Sequence, residues 1–364
     1  MAMSAKRASR KSVRKPKILR VAVIGTGGIS SIHMELLTKF DDAQVVAAAD
    51  INQKALTAAQ QQFDIPHVYK DWKTMLKAGG IDAVSVCTPN GLHAPATIDA
   101  LNAGCHVIVE KPMAMNAREA QRMCDAARKN RRHLIIGFQY RYGAGVQMLK
   151  RAADAGQFGK IMFVKCLAIR RRGIPNWGVF GRKELQGGGP LIDIGVHAIE
   201  QGHYLMGSPK PVAAVGSTWT YVGNKPSKVE CMWPGWDHKT YNVEDLAVGH
   251  IRFDNGAVMQ VESAFACHGQ DSDVMFTFLG EKGGGSSSPP TIHTDMNGTM
   301  VDITPGYMPS DGFGDHFAIK MRAFVDTALY NKPNEAPAED GLRVQQILDG
   351  LYRSAEAGRE VKIS

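Results

Sequence analysis

The 364-residue chain lacks several features that would define a class of protein at once. No run of about 18 apolar residues is present, so we expect no membrane-spanning helix and no membrane partner. The six cysteines show no CxxC or other metal-ligand spacing, and several lie in apolar patterns, as small core residues do. We therefore expect no metal site and predict a reducing, cytoplasmic compartment. Internal repeats are also absent.

Acidic residues are missing from the first 20 positions, which carry eight lysines and arginines. The basic residues of the remaining chain balance its 35 acidic residues, so the formal net charge of +8 resides in this segment. A charged segment with few large apolar residues cannot bury a core, and we expect residues 1–17 to form a basic, disordered tail. Without an apolar stretch or a twin-arginine pair it does not resemble a secretory signal. The folded body is neutral, and we expect no nucleic-acid partner.

Apolar runs and helical stretches alternate from Ile18 to about Gln139, as in a doubly wound parallel sheet. Strands are predicted at 19–24, 45–49, 83–87, 106–110 and 134–138, with helices at 29–40, 54–63, 93–103 and 117–129. This pattern predicts an α/β dinucleotide-binding domain of the Rossmann type at 18–140.

Longer, partly alternating strands follow from about residue 160, and they favour an α+β domain at 141–364 with an open, mainly antiparallel sheet. Its strands are predicted at 161–170, 211–222, 245–253, 257–267 and 274–279, with helices at 190–206, 317–330 and 340–357. The last helix has a broad apolar surface and should pack on the body. The glycine- and serine-rich segment 280–290 is predicted to be a loop.

The segment Leu19–Ser30, LRVAVIGTGGIS, joins an apolar strand to a helix through a glycine-rich turn. Such a turn directs the free N–H groups and the positive dipole end of the helix towards a pyrophosphate. Gly25 permits the turn, Gly27 lets the backbone approach phosphates, and Ser30 takes a third position where Gly or Ala is usual. Asp50 ends the second apolar run, where a carboxylate binds ribose hydroxyls and repels a 2′-phosphate. NAD is therefore favoured over NADP, unless Asp50 only caps the next helix.

Polar residues follow three further predicted strands, at the carboxyl ends where parallel sheets bind ligands. Lys111 lies between a strand end and Pro112. The fixed φ of the proline restricts the directions from which the lysine side chain can reach a ligand, and the Lys111–Pro112 peptide bond could be an unusual one. Its ammonium could stabilise an alkoxide that develops as a hydride leaves, although a surface lysine fits the tripeptide equally well. The candidate cofactor-binding residues are Gly25, Gly27, Gly28, Ile29, Ser30, Asp50, Thr88, Pro89, Asn90, His93, Glu110, Lys111 and Gln139.

A second cluster is the segment 187–197, GGGPLIDIGVH, in which three glycines would allow close approach of a ligand. Asp193 and His197 are four residues apart and share a helix face. His197 could take a hydroxyl proton at neutral pH, while Asp193 could orient the substrate or raise the basicity of His197. A structural pair on a helix surface is the alternative. Gly195 between them indicates tight packing, because glycine destabilises a helix interior.

Taken together, these motifs resemble the Gfo/Idh/MocA oxidoreductases, the family of glucose–fructose oxidoreductase and inositol dehydrogenases. The resemblance runs over nearly the whole chain from Ile18 and includes GTGGIS with Asp50, CTPNGLH at 87–93, EKP at 110–112, GGGPLIDIGVH at 187–197, Glu244-Asp245, FDNG at 253–256 and SAEAGREV at 354–361. It implies that Lys111, Asp193 and His197 are catalytic. It also implies a homodimer or homotetramer formed through the outer face of the second-domain sheet, residues 245–279.

The stretch 170–180, RRRGIPNWGVF, looks like a subgroup that acts on sugars or glycosides. Trp177 could stack on a pyranose face, and Arg171 or Arg172 could bind hydroxyls, although a basic loop anchored by a half-buried tryptophan fits as well. With the polar strand-end residues, the substrate candidates are Lys111, Tyr140, Arg141, Arg171, Arg172, Trp177, Asp193 and His197.

The resemblance implies an NAD-dependent oxidoreductase that moves hydride between nicotinamide and a secondary alcohol of a sugar, cyclitol or glycoside. Two other functions remain open at this point. One is a redox-neutral glycosidase or lyase that uses tightly bound NAD through a transient keto sugar. The other is a non-catalytic NAD(H)-sensing protein, which the complete set of lysine, aspartate and histidine disfavours.

Overall fold

The computed structural model describes residues 17–309 and 312–363, so the predicted tail lies outside the described residues except for Lys17. The first sheet is six-stranded, in the order β3-β2-β1-β4-β5-β6, and all its neighbouring strands pair in parallel. Its strands are β1 (Leu19–Ile24), β2 (Ala43–Ala49), β3 (His67–Tyr69), β4 (Ala83–Val86), β5 (His106–Glu110) and β6 (Leu134–Gly137). The helices are α1 (Gly28–Thr38), α2 (Gln53–Gln62), α3 (Trp72–Ala78), α4 (His93–Asn102) and α5 (Ala117–Asn130).

This sheet confirms the doubly wound prediction for the first half of the chain. Its central strands are apolar runs because both of their faces are covered, and every residue of β4 is buried. The strand order reverses between β1 and β4, which opens a crevice at their carboxyl ends. The sequence did not predict β3 and α3, since the three residues of β3 are too few to form an apolar run.

The second sheet has nine strands in the order β14-β13-β12-β11-β7-β10-β9-β8-β15. Its strands are β7 (Ile161–Ile169), β8 (Pro211–Trp219), β9 (Leu246–Phe253), β10 (Val258–Ala264), β11 (Met275–Gly280), β12 (Gly284–Ser287), β13 (Pro290–Met296), β14 (Thr299–Ile303) and β15 (Val361–Lys362). Only β7 and β10 pair in parallel among these strands, so the sheet is mainly antiparallel, as predicted. The helices are α6 (Ala144–Asp154), α7 (Lys183–Gln186), α8 (Val196–Leu205), α9 (Phe313–Tyr330) and α10 (Ala338–Ala357).

The prediction of a loop at 280–290 was wrong, because β12 occupies Gly284–Ser287 between β11 and β13. Pairing with the neighbouring strands stabilises β12, whereas apolar side chains do not. The amino-acid composition of the segment therefore does not indicate a strand. The last helix confirms its prediction, since α10 buries Val344, Leu348 and Leu351 and packs on β8 and α5. None of the described helices has the length and apolar character needed to cross a membrane.

Candidate functional site

A cavity of about 480 Å³ lies beyond the carboxyl ends of β4, β5 and β6 and reaches the start of α8. It brings together the strand ends of the first sheet and loop and helix residues from the second half of the chain. The predicted site residues that line it are Ile29, Thr88, Pro89, Asn90, His93, Glu110, Lys111, Gln139, Tyr140, Trp177, Asp193 and His197. Other lining residues include Arg170, Phe180, Gln186, Ile194, Trp233, Val274 and Phe317.

The glycine-rich turn leads from β1 into α1 beside this cavity. Gly25 has a φ of +88°, and a Cβ placed on it would lie 2.7 Å from the carbonyl oxygen of Cys87, so only glycine fits. Gly27 and Gly28 are exposed and no side chain caps the helix, which leaves the first N–H groups of α1 available. Ser30 is buried and donates through Oγ to the carbonyl oxygen of Gly27 at 2.6 Å. The third position of the fingerprint thus accommodates serine.

Asp50 joins the end of β2 to this turn. Its Oδ2 accepts hydrogen bonds from the backbone N and the Oγ1 of Thr26, at 2.7 and 3.0 Å. Helix α2 is capped by Asn52, whose side chain accepts from the backbone nitrogens of Lys54 and Ala55. Asp50 is therefore not the cap of that helix, and its position beside the turn matches that of a ribose-binding carboxylate.

Lys111 follows β5, and its bond to Pro112 is cis. Its Nζ donates to Oδ1 of Asp193 at 2.9 Å and to the backbone oxygen of Asp193 at 2.8 Å. The two side chains are only 17% and 8% exposed, so Lys111 is not a surface lysine. An ammonium has three donor hydrogens, and these two bonds leave one for a group in the cavity.

Glu110 was expected to bind cofactor, but its carboxylate has protein partners. Oε1 accepts from the buried Lys320 ammonium of α9 and lies 3.1 Å from Nε2 of His33. Nδ1 of His33 in turn lies 2.8 Å from Oγ of Ser85. Burial opposes the charge on Glu110, yet Lys320 and His33 outweigh it and hold its pKa far below the usual value. The buried ion pair therefore supports the backbone next to Lys111, and cofactor binding by Glu110, which also lines the cavity, stays a prediction.

Glu244 supports the segment that carries Asp193 and His197. Its carboxylate accepts from the backbone nitrogens of Gly189 and Leu191, at 2.8 and 3.2 Å, and from the Tyr352 hydroxyl at 2.8 Å. A Cβ on Gly188 would lie 2.1 Å from the Tyr352 hydroxyl, and one on Gly189 would lie 2.2 Å from the carbonyl oxygen of Glu244. The glycines thus admit Glu244 and Tyr352, which corrects the prediction that they admit a ligand.

The helix predicted at 190–206 is not uniform. Leu191–Gly195 forms a π-helical turn, and α8 begins at Val196. Asp193 and His197 are each 5% exposed and line the same cavity, so they are not a surface pair. A Cβ on Gly195 would contact Ser263 of β10 at 3.0 Å, which confirms the tight packing predicted there.

His197 lies at the end of the cavity nearest Tyr140, with the two ring centroids 4.9 Å apart. Burial and the Lys111 charge lower the pKa of His197 well below its usual value, so the imidazole is neutral at neutral pH. Its Nδ1 has no hydrogen-bond partner among the described residues. Asp193 binds Lys111 and not His197, which corrects the expectation that it raises the basicity of His197.

Three buried side-chain atoms of the cavity lack partners within the described part of the chain: Thr88 Oγ1, Gln139 Oε1 and His197 Nδ1. Buried polar atoms are normally hydrogen-bonded, so this set indicates that ligand or water atoms complete the site. With the open N-terminus of α1 and Asp50, the described residues fit a nicotinamide dinucleotide.

Several predicted residues do not take part in the cavity. Arg141 is buried and binds Glu200 at 3.0 Å and Asp340 at 2.8 Å, so its charge is paired with carboxylates inside the protein. Arg171 is exposed, and Arg172 donates to the carbonyl oxygens of Arg171 and Cys267. The burial of Arg141 contradicts its predicted contact with substrate, and substrate binding by Arg171 or Arg172, which do not line the cavity, stays a prediction.

His93 lines the cavity, but both of its ring nitrogens lie within 2.9 Å of backbone carbonyls, those of Pro112 and Thr88. These contacts fix the orientation of the His93 ring at the wall of the cavity, and its contact with the cofactor stays a prediction.

Sequence reasoning also missed functional candidates. Of the three adjacent arginines, Arg170 lines the cavity and Arg171 and Arg172 do not. A run of three identical residues does not indicate which of them faces a cavity. Trp233 lies in a segment without a recognisable motif. Lys320 carried a usable signal, because it shares a helix face with Phe317 and Phe324, both fully buried, in the helix predicted at 317–330.

The glycine turn at a switch point and the paired lysine and aspartate beside a neutral histidine define an oxidoreductase that uses a nicotinamide dinucleotide. The family model for oxidoreductases with an NAD-binding Rossmann fold matches residues 19–138, and the model for their C-terminal alpha/beta domain matches residues 150–363. The chain belongs to the Gfo/Idh/MocA oxidoreductase family, and NAD is its cofactor.

Several similar proteins are named as dehydrogenases. The D-glucoside 3-dehydrogenase of Escherichia coli (strain K12) is 36% identical over 356 residues, covering 97% of this chain and 100% of that protein. The myo-inositol 2-dehydrogenase of Thermotoga maritima is 26% identical over 351 residues, covering 95% and 98%. A solved levoglucosan dehydrogenase in complex with NADH has a TM-score of 0.82 at 23% identity, covering 96% of this chain and 100% of that chain. That structure supports the fold.

Proposed function

We propose that this protein oxidises a secondary hydroxyl of a sugar, with a D-glucoside as the substrate class and NAD as the oxidant. The observation that carries the proposal is the Lys111–Asp193 ion pair beside neutral His197, at the strand ends where we expect the cofactor to bind. The full-length similarity to a D-glucoside 3-dehydrogenase supports the glucoside in preference to a cyclitol.

The side chains divide the reaction between them. The remaining donor hydrogen of Lys111 binds the substrate hydroxyl and stabilises negative charge as it develops on that oxygen. Asp193 orients the ammonium and balances its charge. His197 takes the hydroxyl proton, because burial keeps its imidazole unprotonated at neutral pH and therefore able to accept one. Bound beside the glycine turn and Asp50, NAD would supply the hydride acceptor for the carbinol carbon, and the overall products would be a ketone, NADH and one proton.

A panel of substrates tests this function. Purified protein is incubated with NAD or NADP and with monosaccharides, inositols or methyl glycosides, and both NADH absorbance and product mass are followed. We expect NADH with methyl D-glucosides and a product lighter by two hydrogens. Release of the aglycone without net NADH would instead identify the redox-neutral glycosidase or lyase. No turnover with any glycoside would contradict the proposal.

We also propose that copies of the chain associate through the face of the second sheet that lies opposite α8 and α10. Val215 and Leu279 are 44% and 58% exposed on that face, where water-exposed apolar side chains favour an interface. Light scattering on Val215→Asp should show a lower mass than the unchanged protein.

A reducing cytoplasm stays a prediction from the cysteine pattern.

A further inference from the structure

Three aromatic side chains, Trp177, Phe180 and Trp233, line the cavity next to the catalytic groups and form what we call the aromatic rim. Trp177 contacts both of the others edge to face, with ring centroids 5.9 Å from Phe180 and 4.7 Å from Trp233. Trp177 is 49% exposed, whereas Asp193 and His197 are each 5% exposed. The rim is therefore the outer, apolar part of a cavity whose inner part is polar.

Packing of the hydrophobic core does not account for the aromatic rim. A small separate core lies beneath the two loops that carry it, and its members are Ala168, Ile174, Ile194, Trp236, Tyr241, Val243, Phe265 and Ala266. Trp236 anchors one loop, since it is 7% exposed and donates through Nε1 to the carbonyl oxygen of Gly223. None of the three rim residues belongs to this core. Exposed aromatic surface beside a ligand cavity is typical of a binding site.

The two loops are held together, so the rim is formed before a ligand arrives. Nδ2 of Asn176 donates to the carbonyl oxygen of Pro234 at 2.8 Å, which joins residues adjacent to Trp177 and Trp233. The Arg170 guanidinium lies over the Trp233 ring, 4.9 Å from its centroid. A fixed arrangement of rings lowers the entropy lost on binding.

We propose that the aromatic rim is a subsite for an apolar, ring-containing aglycone of the glucoside substrate. This inference rests on the proposed function, which places the sugar at Lys111 and His197. A sugar held there by its hydroxyls would direct its anomeric substituent along the cavity, and a flat apolar group would cover Trp177 and Trp233. Free sugars and methyl glycosides would leave these rings in water.

Activity towards two glucosides tests whether the aromatic rim binds an aglycone. Methyl and phenyl D-glucosides of the same anomeric configuration are compared by kcat/KM, and the phenyl compound should be favoured on the order of tenfold, as one buried ring would provide. In Trp177→Ala and Trp233→Ala the ratio of phenyl to methyl activity should fall towards one. Trp233→Phe, which keeps a ring, should retain most of the preference.

Trp219→Ala is the matched control, because Trp219 is 47% exposed but lies on β8 and does not line the cavity. It should leave the ratio unchanged. Equal activity on both glucosides in the unchanged protein would overturn the inference. So would an equal loss for both glucosides in the rim variants, because that pattern would mean that the rings contact the sugar itself.

Calorimetric titration separates this inference from the proposed function. Both glucosides are titrated into protein loaded with NADH, where no oxidation occurs. Tighter binding of phenyl than of methyl glucoside, lost in Trp233→Ala, supports the subsite even if no glucoside is turned over. Turnover of methyl glucoside without any phenyl preference in either measurement would retain the proposed function and reject the subsite.

Discussion

Two buried glutamates support the two sides of the cavity, and they differ in what surrounds their charge. Glu110, below the strand-end side with Lys111, faces the Lys320 ammonium and His33. Glu244, below the helix side with Asp193 and His197, accepts from backbone N–H groups and the Tyr352 hydroxyl, with no cation bound to it among the described residues. The pKa of Glu110 is lowered, whereas burial raises the pKa of Glu244.

This difference shows that one site can be built by two kinds of support. The strand-end side depends on a balance of full charges, so removing one charge leaves the other buried and unpaired. The helix side depends on hydrogen bonds to a single carboxylate, so each missing bond has a smaller cost. The four predictions below test this contrast and the division of chemistry between the two sides.

The largest effect is expected at the base on the helix side. His197→Ala should lower the rate of sugar oxidation on the order of 10²–10⁴-fold, because it removes the neutral imidazole that serves as the proposed base in the cavity. NADH binding, measured by fluorescence, should change little, since the cofactor turn lies on the other side. Near-full oxidation with unchanged substrate affinity would show that His197 is not the base.

Removing the cation on the strand-end side should cost the most stability. Lys320→Met leaves Glu110 buried without its ammonium, and we expect a loss of about 3–5 kcal/mol in the free energy of unfolding. Denaturant unfolding measures it. Lys39→Met is the control, because its pair with Glu35 is about 60% exposed on both sides and should contribute at most about 1 kcal/mol.

The double variant Lys320→Met with Glu110→Gln sharpens this test. Since it removes both charges, it should be more stable than Lys320→Met alone. A loss below about 1 kcal/mol in Lys320→Met would mean that Glu110 does not depend on this charge, and the contrast between the two glutamates would fail.

A smaller effect is expected beneath the helix side. Glu244→Gln replaces one accepting oxygen with a donor, so one of its three partners loses its bond, at a cost of about 1–3 kcal/mol. Tyr352→Phe, which removes one donor and keeps the carboxylate, should cost about 0.5–1.5 kcal/mol. Denaturant unfolding measures both variants. If Glu244→Gln lowered the free energy of unfolding as much as Lys320→Met does, the contrast between Glu244 and Glu110 would be wrong.

The smallest effect concerns pH. The lowered pKa of His197 keeps its imidazole unprotonated down to a pH below the usual value of about 6.5. The rate of oxidation should therefore still be on its plateau at pH 6.5, where an ordinary histidine would have lost half of its basic form, and should fall only at lower pH. The profile of kcat/KM against pH measures this. A half-maximal rate at pH 6.5 or above would refute it, provided that the protein is still folded there.

Much of the site follows from local sequence. The turn at Gly25 and the positions of Lys111, Asp193 and His197 depend on neighbours within a few residues, and a strand followed by a helix has few alternatives. Arg141 shows the limit of such reasoning. It follows a strand end like the true cavity residues, yet Glu200 and Asp340, far along the chain, bind its charge in the core.

The amino-acid sequence alone determined the parallel sheet, the cofactor turn and the types of residue that meet at the strand ends, because periodicity and glycine geometry act over short distances. Only the tertiary structure decided which partner each charged group takes: Lys320 for Glu110, Tyr352 for Glu244 and Lys111 for Asp193. These partners lie 82 to 210 residues apart in the chain. A buried charge is stabilised by whichever group the fold brings to it, and no local pattern records that choice.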